Sequence, residues 1–185
     1  MTLPTEQDVF LYIGGLREEF PEFELHMEKP WWLKVLLKIP CFKYLEDYNQ
    51  AIGFKIYTCR SWDKLSPRRR LSILRHEREH FLWARKYSPF LIVLAYIFVF
   101  FPIYLAWFRA AFERAGYRES LRSRIEYYGN TPSEKENARE TYLRVFTTWD
   151  YFKMWPYKRT ILRWFEEDWA TAEEELNAPE KWSAR

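Results

Sequence analysis

The sequence predicts a mixed α+β fold, predominantly α-helical, and three observations lead to that class. The first is Pro67 to Tyr87, which opens on Ser66-Pro67, repeats apolar residues at three- and four-residue spacing and stops at Ser88-Pro89; these are the start, body and end of an amphipathic helix. The second is the pair Tyr48–Ile52 and Phe54–Thr58, divided by Gly53. The later segment alternates apolar with polar residues, so the two read as a small β-hairpin beside the helix. The third lies in the last third of the chain. There Thr131-Pro132-Ser133-Glu134 forms a capping-box pattern that opens a helix through about Phe146, and Pro156 opens another through about Leu176. Ile161, Leu162, Trp164, Phe165 and Trp169 supply the apolar side of that last helix.

Length and composition narrow the classes. With 185 residues, one domain over 1–185 is expected, with a core of about 42–175 and a loose polar tail at 179–185. Ten tryptophans, thirteen tyrosines and fifteen phenylalanines supply material for a core, and 30% charged residues argue against a generic membrane protein. A net charge of +3, with both signs interspersed, gives no footprint for nucleic acid. Cys41 and Cys59 lack C-x-x-C spacing, so neither a disulfide framework nor a cysteine metal site is implied. The start, Met1-Thr2-Leu3-Pro4-Thr5-Glu6, has no basic segment leading into an apolar one, and a cytoplasmic location is expected.

Before the hairpin, Thr5 to Tyr12 reads as a short helix ended by Gly14-Gly15. The stretch Glu18 to Met27 is acidic and aromatic, and its His26 has no second ligand type at helical or turn spacing, so it is expected in the core or on the surface rather than on a metal. Trp31 to Lys38 is a compact amphipathic run closed by Pro40. It is expected to lie on the protein's own core, with a membrane surface as the alternative. An edge of the hairpin sheet could hold an extended peptide by backbone hydrogen bonds, although plain scaffolding explains the strands equally well.

The helix Pro67–Tyr87 carries the chain's most specific signal, His76-Glu77-Arg78-Glu79-His80, which takes two of its three histidines. Residues four apart leave a helix on one face about a turn apart, so both imidazoles can grip one ion. Zinc suits two nitrogen donors, and Glu77 beside them can take a proton from a metal-bound water. Ile73, Glu77, His80 and Ala84 share a face, with Leu74 and Phe81 next to it. Arg68, Arg69, Arg75, Arg78 and Arg85 occupy most of the rest. The plainer alternative is a solvated, charged helix that happens to hold two histidines.

Phe90 to Phe108 contains nineteen residues without a charge, long enough to span a bilayer if taken alone. The metal reading constrains it. A catalytic zinc takes three protein ligands, and the next carboxylates lie beyond this run. At about 1.5 Å per residue a straight span would leave Glu113 roughly 30 Å from the histidines. The two readings exclude each other, and the expectation favours the site: a buried or broken helix pair turned near Pro102 that returns Glu113. Glu113 is preferred to Glu119 and Glu126 in part because Arg109 and Tyr117 stand four residues to either side, giving one face a ligand, a cation and a phenol, while the plainer alternative is an exposed glutamate among arginines.

The stretch Leu74-Arg75-His76-Glu77-Arg78-Glu79-His80 resembles the active helix of gluzincin-type zincin metallopeptidases. Together with Ile52-Gly53-Phe54-Lys55-Ile56-Tyr57, the proline-containing apolar segment and Arg109-Ala110-Ala111-Phe112-Glu113-Arg114-Ala115-Gly116-Tyr117, it resembles a group of uncharacterised bacterial and phage metallopeptidases over roughly Phe42 to Arg122. This chain departs from the pattern at Gly116, where alanine is more usual, and in its more hydrophobic intervening segment. The resemblance implies a zincin-like core with one Zn2+ held by His76, His80 and Glu113, and Glu77 as general base.

The expected function is therefore hydrolysis of a peptide or protein substrate, with Arg109 or Tyr117 steadying the oxyanion or a ligand carboxylate. Met154-Trp155-Pro156-Tyr157 could wall the cleft, with Tyr157 assisting, although aromatic stripes are more often packing. Two other expectations stand beside it. One is a single-pass or membrane-associated, non-enzymatic interaction protein with Phe90–Phe108 in the bilayer. The other is a catalytically inactive zincin-fold component of a larger assembly, such as a phage particle.

Overall fold

The computed structural model describes residues 3–36, 38, 46, 48–88, 104–148, 154–155 and 157–178. The chain forms two compact units, one of Thr2–Leu94 and one of Ala95–Arg185 with Met1. Helices dominate both, and a small three-stranded sheet lies in the first, which makes the protein α+β.

The N-terminal unit starts with helix α1, Glu6–Glu19. Thr5 caps it in both directions: its hydroxyl accepts the Asp8 amide at 3.4 Å and the Asp8 carboxylate accepts the Thr5 amide at 2.7 Å. The expected break at Gly14-Gly15 does not occur, and the helix runs on for another turn. Each glycine costs a helix about 1 kcal/mol relative to alanine. Burial of Leu16 and, just past the end, Phe20 offsets that cost on the far side of the pair.

The hairpin is present as β2, Gln50–Ile52, antiparallel to β3, Lys55–Tyr57, across a turn in which Gly53 has φ 63°, the left-handed region that glycine tolerates. A further strand, β1 (Glu24–His26), lies parallel to β3 with Leu25 opposite Ile56. The order is β1-β3-β2. The strand leading toward the motif helix is thus central, and any added peptide strand would have to pair with the outer side of β1 or β2. Leu25, Ala51 and Ile56 turn the sheet's inner face onto the core. In that core Phe81 packs its ring 5.5 Å from Phe20, 5.7 Å from Phe23 and 5.9 Å from Phe54.

Helix α2 covers Trp31–Leu36 of the expected run. Leu33 is buried, whereas Trp31 is 77% exposed, Trp32 39% and Val35 53%. Among the described side chains of this helix Leu33 alone is buried.

In the C-terminal unit three helices follow one another: α4 (Tyr104–Tyr128), α5 (Pro132–Thr147) and α6 (Lys158–Asn177). The cap expected for α5 is half formed. The Thr131 hydroxyl accepts the Glu134 amide at 3.2 Å, but the Glu134 carboxylate accepts from Arg124 Nε at 3.0 Å. Tyr142, Phe146, Ile161, Phe165 and Trp169 are buried at its centre, and Leu162 is only partly covered. A polar node sits among them. The Asp168 carboxylate accepts the Tyr142 hydroxyl at 2.7 Å and the Arg114 guanidinium at 2.8 to 3.1 Å. Burial first, and the negative charge of Asp168 second, push the Tyr142 phenol well above the usual tyrosine range.

Most of the apolar run lies outside the described residues, as do its expected turn at Pro102 and the tail after Ala178. Its last residues, Tyr104 to Phe108, open α4. Among the described residues no helix is long and apolar enough to cross a membrane.

Candidate metal centre

Helix α3, Pro67–Tyr87, has the predicted bounds because its ends are fixed by local chemistry. The Ser66 hydroxyl accepts the Arg69 amide at 3.3 Å, and Pro67 occupies the first turn, where its missing N–H is no loss. Leu71, Leu74 and Phe81 bury one stripe of the helix in the N-terminal core. That seats the helix against the core of its unit.

The two motif histidines converge. His76 Nε2 and His80 Nε2 are 3.1 Å apart, with ring centroids at 4.8 Å and planes at 83°. Two nitrogens each about 2.0–2.1 Å from a tetrahedral zinc would stand about 3.3 Å apart. The observed spacing is close to that, and it also suits a hydrogen bond from one ring to the other. His80 and the neighbouring Glu77 are each 7% exposed, while His76 is partly covered. A carboxylate beside two imidazoles in a covered setting is the donor and base chemistry that the motif requires.

In the C-terminal unit, α4 carries Arg109, Glu113 and Tyr117 at four-residue intervals, hence along one side. Arg109 is 5% exposed and Glu113 6%. The Tyr117 ring is 5.4 Å from Phe146 and 6.0 Å from Tyr142, so the phenol expected to assist the chemistry also belongs to an aromatic cluster.

His76, His80 and Glu113 form a group able to hold a metal ion: each offers one ligand atom, and these atoms lie within 4.8 Å of one another. The donor set, two imidazole nitrogens and one carboxylate oxygen, fits zinc. His26 stands elsewhere, in β1, where its Nε2 is 2.7 Å from a Glu24 carboxylate oxygen and its ring stacks on Tyr57 at 4.9 Å. Tyr157 is 64% exposed, and its ring is 5.5 Å from that of Trp155.

Sequence reasoning missed the groups that hold α3 from behind. Arg78, inside the motif, makes a two-pronged bond to Glu19 of α1, Nε to Oε2 and Nη2 to Oε1, both at 2.7 Å. Those hydrogen bonds raise the Arg78 pKa further above its usual range. Arg70 pairs with Glu6, and the Arg85 guanidinium lies 5.1 Å from the Phe20 ring centre. The only advance signal was an excess of arginine on one helix. Comparison of the chain with protein-family models, with curated proteins and with solved structures returns no match.

Proposed function

We propose that the protein is a zinc-dependent metallopeptidase with a zincin-like arrangement of its catalytic helix. The grouping of His76, His80 and Glu113, three ligand atoms within 4.8 Å of one another, is the observation that carries this reading. Those three residues would hold the ion. A bound zinc lowers the pKa of a coordinated water to about 7 and polarises a carbonyl. Glu77, covered and next to His76, receives the proton of the attacking water and passes it to the leaving amine. Arg109, with Tyr117 as the other candidate, steadies the charge that develops on the carbonyl oxygen. The substrate class is a peptide or protein.

The test is metal content with activity. Purified protein should hold about one zinc, and His80→Ala should lose it. Glu77→Gln should keep the ion and lose peptide hydrolysis; a Glu77→Gln protein that still cleaves would reject the base assignment.

One observation favours a second reading, that of a membrane-associated interaction protein. The outward Trp31, Trp32 and Val35 of α2 are the residue types found where a protein meets the lipid headgroup level. Sedimentation with lipid vesicles, together with the absence of zinc, would support it over the peptidase.

A further inference from the structure

The arginines of α3 are more than a solvated face. Arg70, Arg78 and Arg85 recur at about two-turn spacing and each engages α1 or the residue that ends it: Glu6, Glu19 and Phe20 respectively. The two helices run in the same direction under this stripe, since partners near the start of one meet partners near the start of the other. Arg78 is the member closest to the motif histidines, two residues from each. Two residues is about 160° round the helix, so Arg78 is held on the side opposite the imidazoles.

We infer that the Arg78–Glu19 pair is a positioning device that sets the rotation of α3 and so aims His76 and His80 at a shared ion. The inference rests on the metal reading given above. Leverage explains why this pair, and not any ion pair on the helix, has the role. Side-chain ends lie about 6 Å from a helix axis, so turning α3 by about 10° moves each imidazole nitrogen by roughly 1 Å. A metal site tolerates displacements of about 0.5 Å. The apolar stripe of Leu71, Leu74 and Phe81 lies on the same side of α3 as Arg78, and hydrophobic packing is not directional. A guanidinium fork on a carboxylate is: its two parallel bonds fix orientation as well as distance, and both partners are half-buried, where water competes less. The Arg70–Glu6 pair joins the same two helices farther from the histidines, with Glu6 67% exposed, and contributes attachment without aim.

The experiment measures zinc affinity by chelator competition on the full chain, and the visible spectrum of the Co2+-loaded protein as a report of ligand geometry. Arg78→Lys keeps the charge and removes the fork. It should weaken zinc binding by about tenfold, the order expected when a group that orients a metal ligand is lost, and should alter the Co2+ spectrum. Glu19→Gln should do the same from the other side. The exchanged pair Glu19→Arg with Arg78→Glu should recover part of the affinity. Arg70→Lys should leave affinity and spectrum as in the parent. Thermal unfolding of each variant confirms that it is folded, and Glu19→Gln tests the idea even if Arg78→Lys does not fold. Wild-type affinity and an unchanged spectrum in both Arg78→Lys and Glu19→Gln would overturn the inference while leaving the metal centre standing. If the parent binds zinc no better than His80→Ala, the metal reading itself falls, and the inference with it.

Discussion

Replacing Asp168 with alanine is the sharpest test of how the C-terminal unit is held together. The Asp168 side chain is 5% exposed and accepts four contacts: one from the Tyr142 hydroxyl at 2.7 Å and three from Arg114 at 2.8 to 3.1 Å. Alanine strands the phenol of Tyr142, which is 1% exposed, and a buried hydroxyl without a partner costs about 1–3 kcal/mol. Loss of the charge-assisted bonds to Arg114 adds about 1.5–3 kcal/mol at most. The arginine keeps Glu167 at 2.8 Å and the Trp164 ring at 5.0 Å, so the lower end of that range applies. The sum is roughly 2.5–4.5 kcal/mol of destabilisation. Asn in place of Asp168 retains an oxygen for Tyr142 and should cost about 1–2 kcal/mol. Glu167→Ala removes a partner that is 51% exposed and should cost less than about 0.5 kcal/mol. Urea unfolding followed by circular dichroism gives all three values. A loss below about 1 kcal/mol for Asp168→Ala, or no difference between Ala and Asn, would refute the reasoning.

Three further outcomes are expected. The Tyr142 phenol has its pKa raised above the ordinary 10.0 by burial and by Asp168, so the folded state keeps a proton that the unfolded chain releases. Its contribution is complete below about pH 10 and is lost as pH rises beyond that, at up to about 1.4 kcal/mol per pH unit; urea midpoints between about pH 8 and pH 12 should fall more steeply for the parent than for Tyr142→Phe. Trp31, at 77% exposed, should accept serine with a stability change within about 0.5 kcal/mol; a loss of several times that in thermal unfolding would mean that the ring is covered. Zinc at about a hundred times its dissociation constant should stabilise the parent by about 2.7 kcal/mol and leave His80→Ala unmoved, as read by urea unfolding with and without the metal.

What could be read in advance, and what could not, divides by distance along the chain. The bounds of α3 were legible because Ser66, Pro67 and Ser88 act within a turn of themselves. The paired histidines were legible for the same reason, since four residues on a helix is a fixed geometry. Strand β1 was not, because three residues cannot show an alternation, and its partner Lys55 lies 31 residues from Glu24. Asp168 was hidden in the same way: Tyr142 is 26 residues from it and Arg114 is 54. Glycine at positions 14 and 15 misled because propensity is a local term and the burial of Leu16 and Phe20 is not. Arg78 shows the division within a single residue. Its place on the helix was plain, but its role depends on a carboxylate 59 residues away. It follows that the five-residue motif alone cannot separate a metal site from a chance pair of histidines. The separation lies in a group outside it, the carboxylate of Glu113 proposed as third donor, and variants at that position should discriminate better than changes at the motif's other residues.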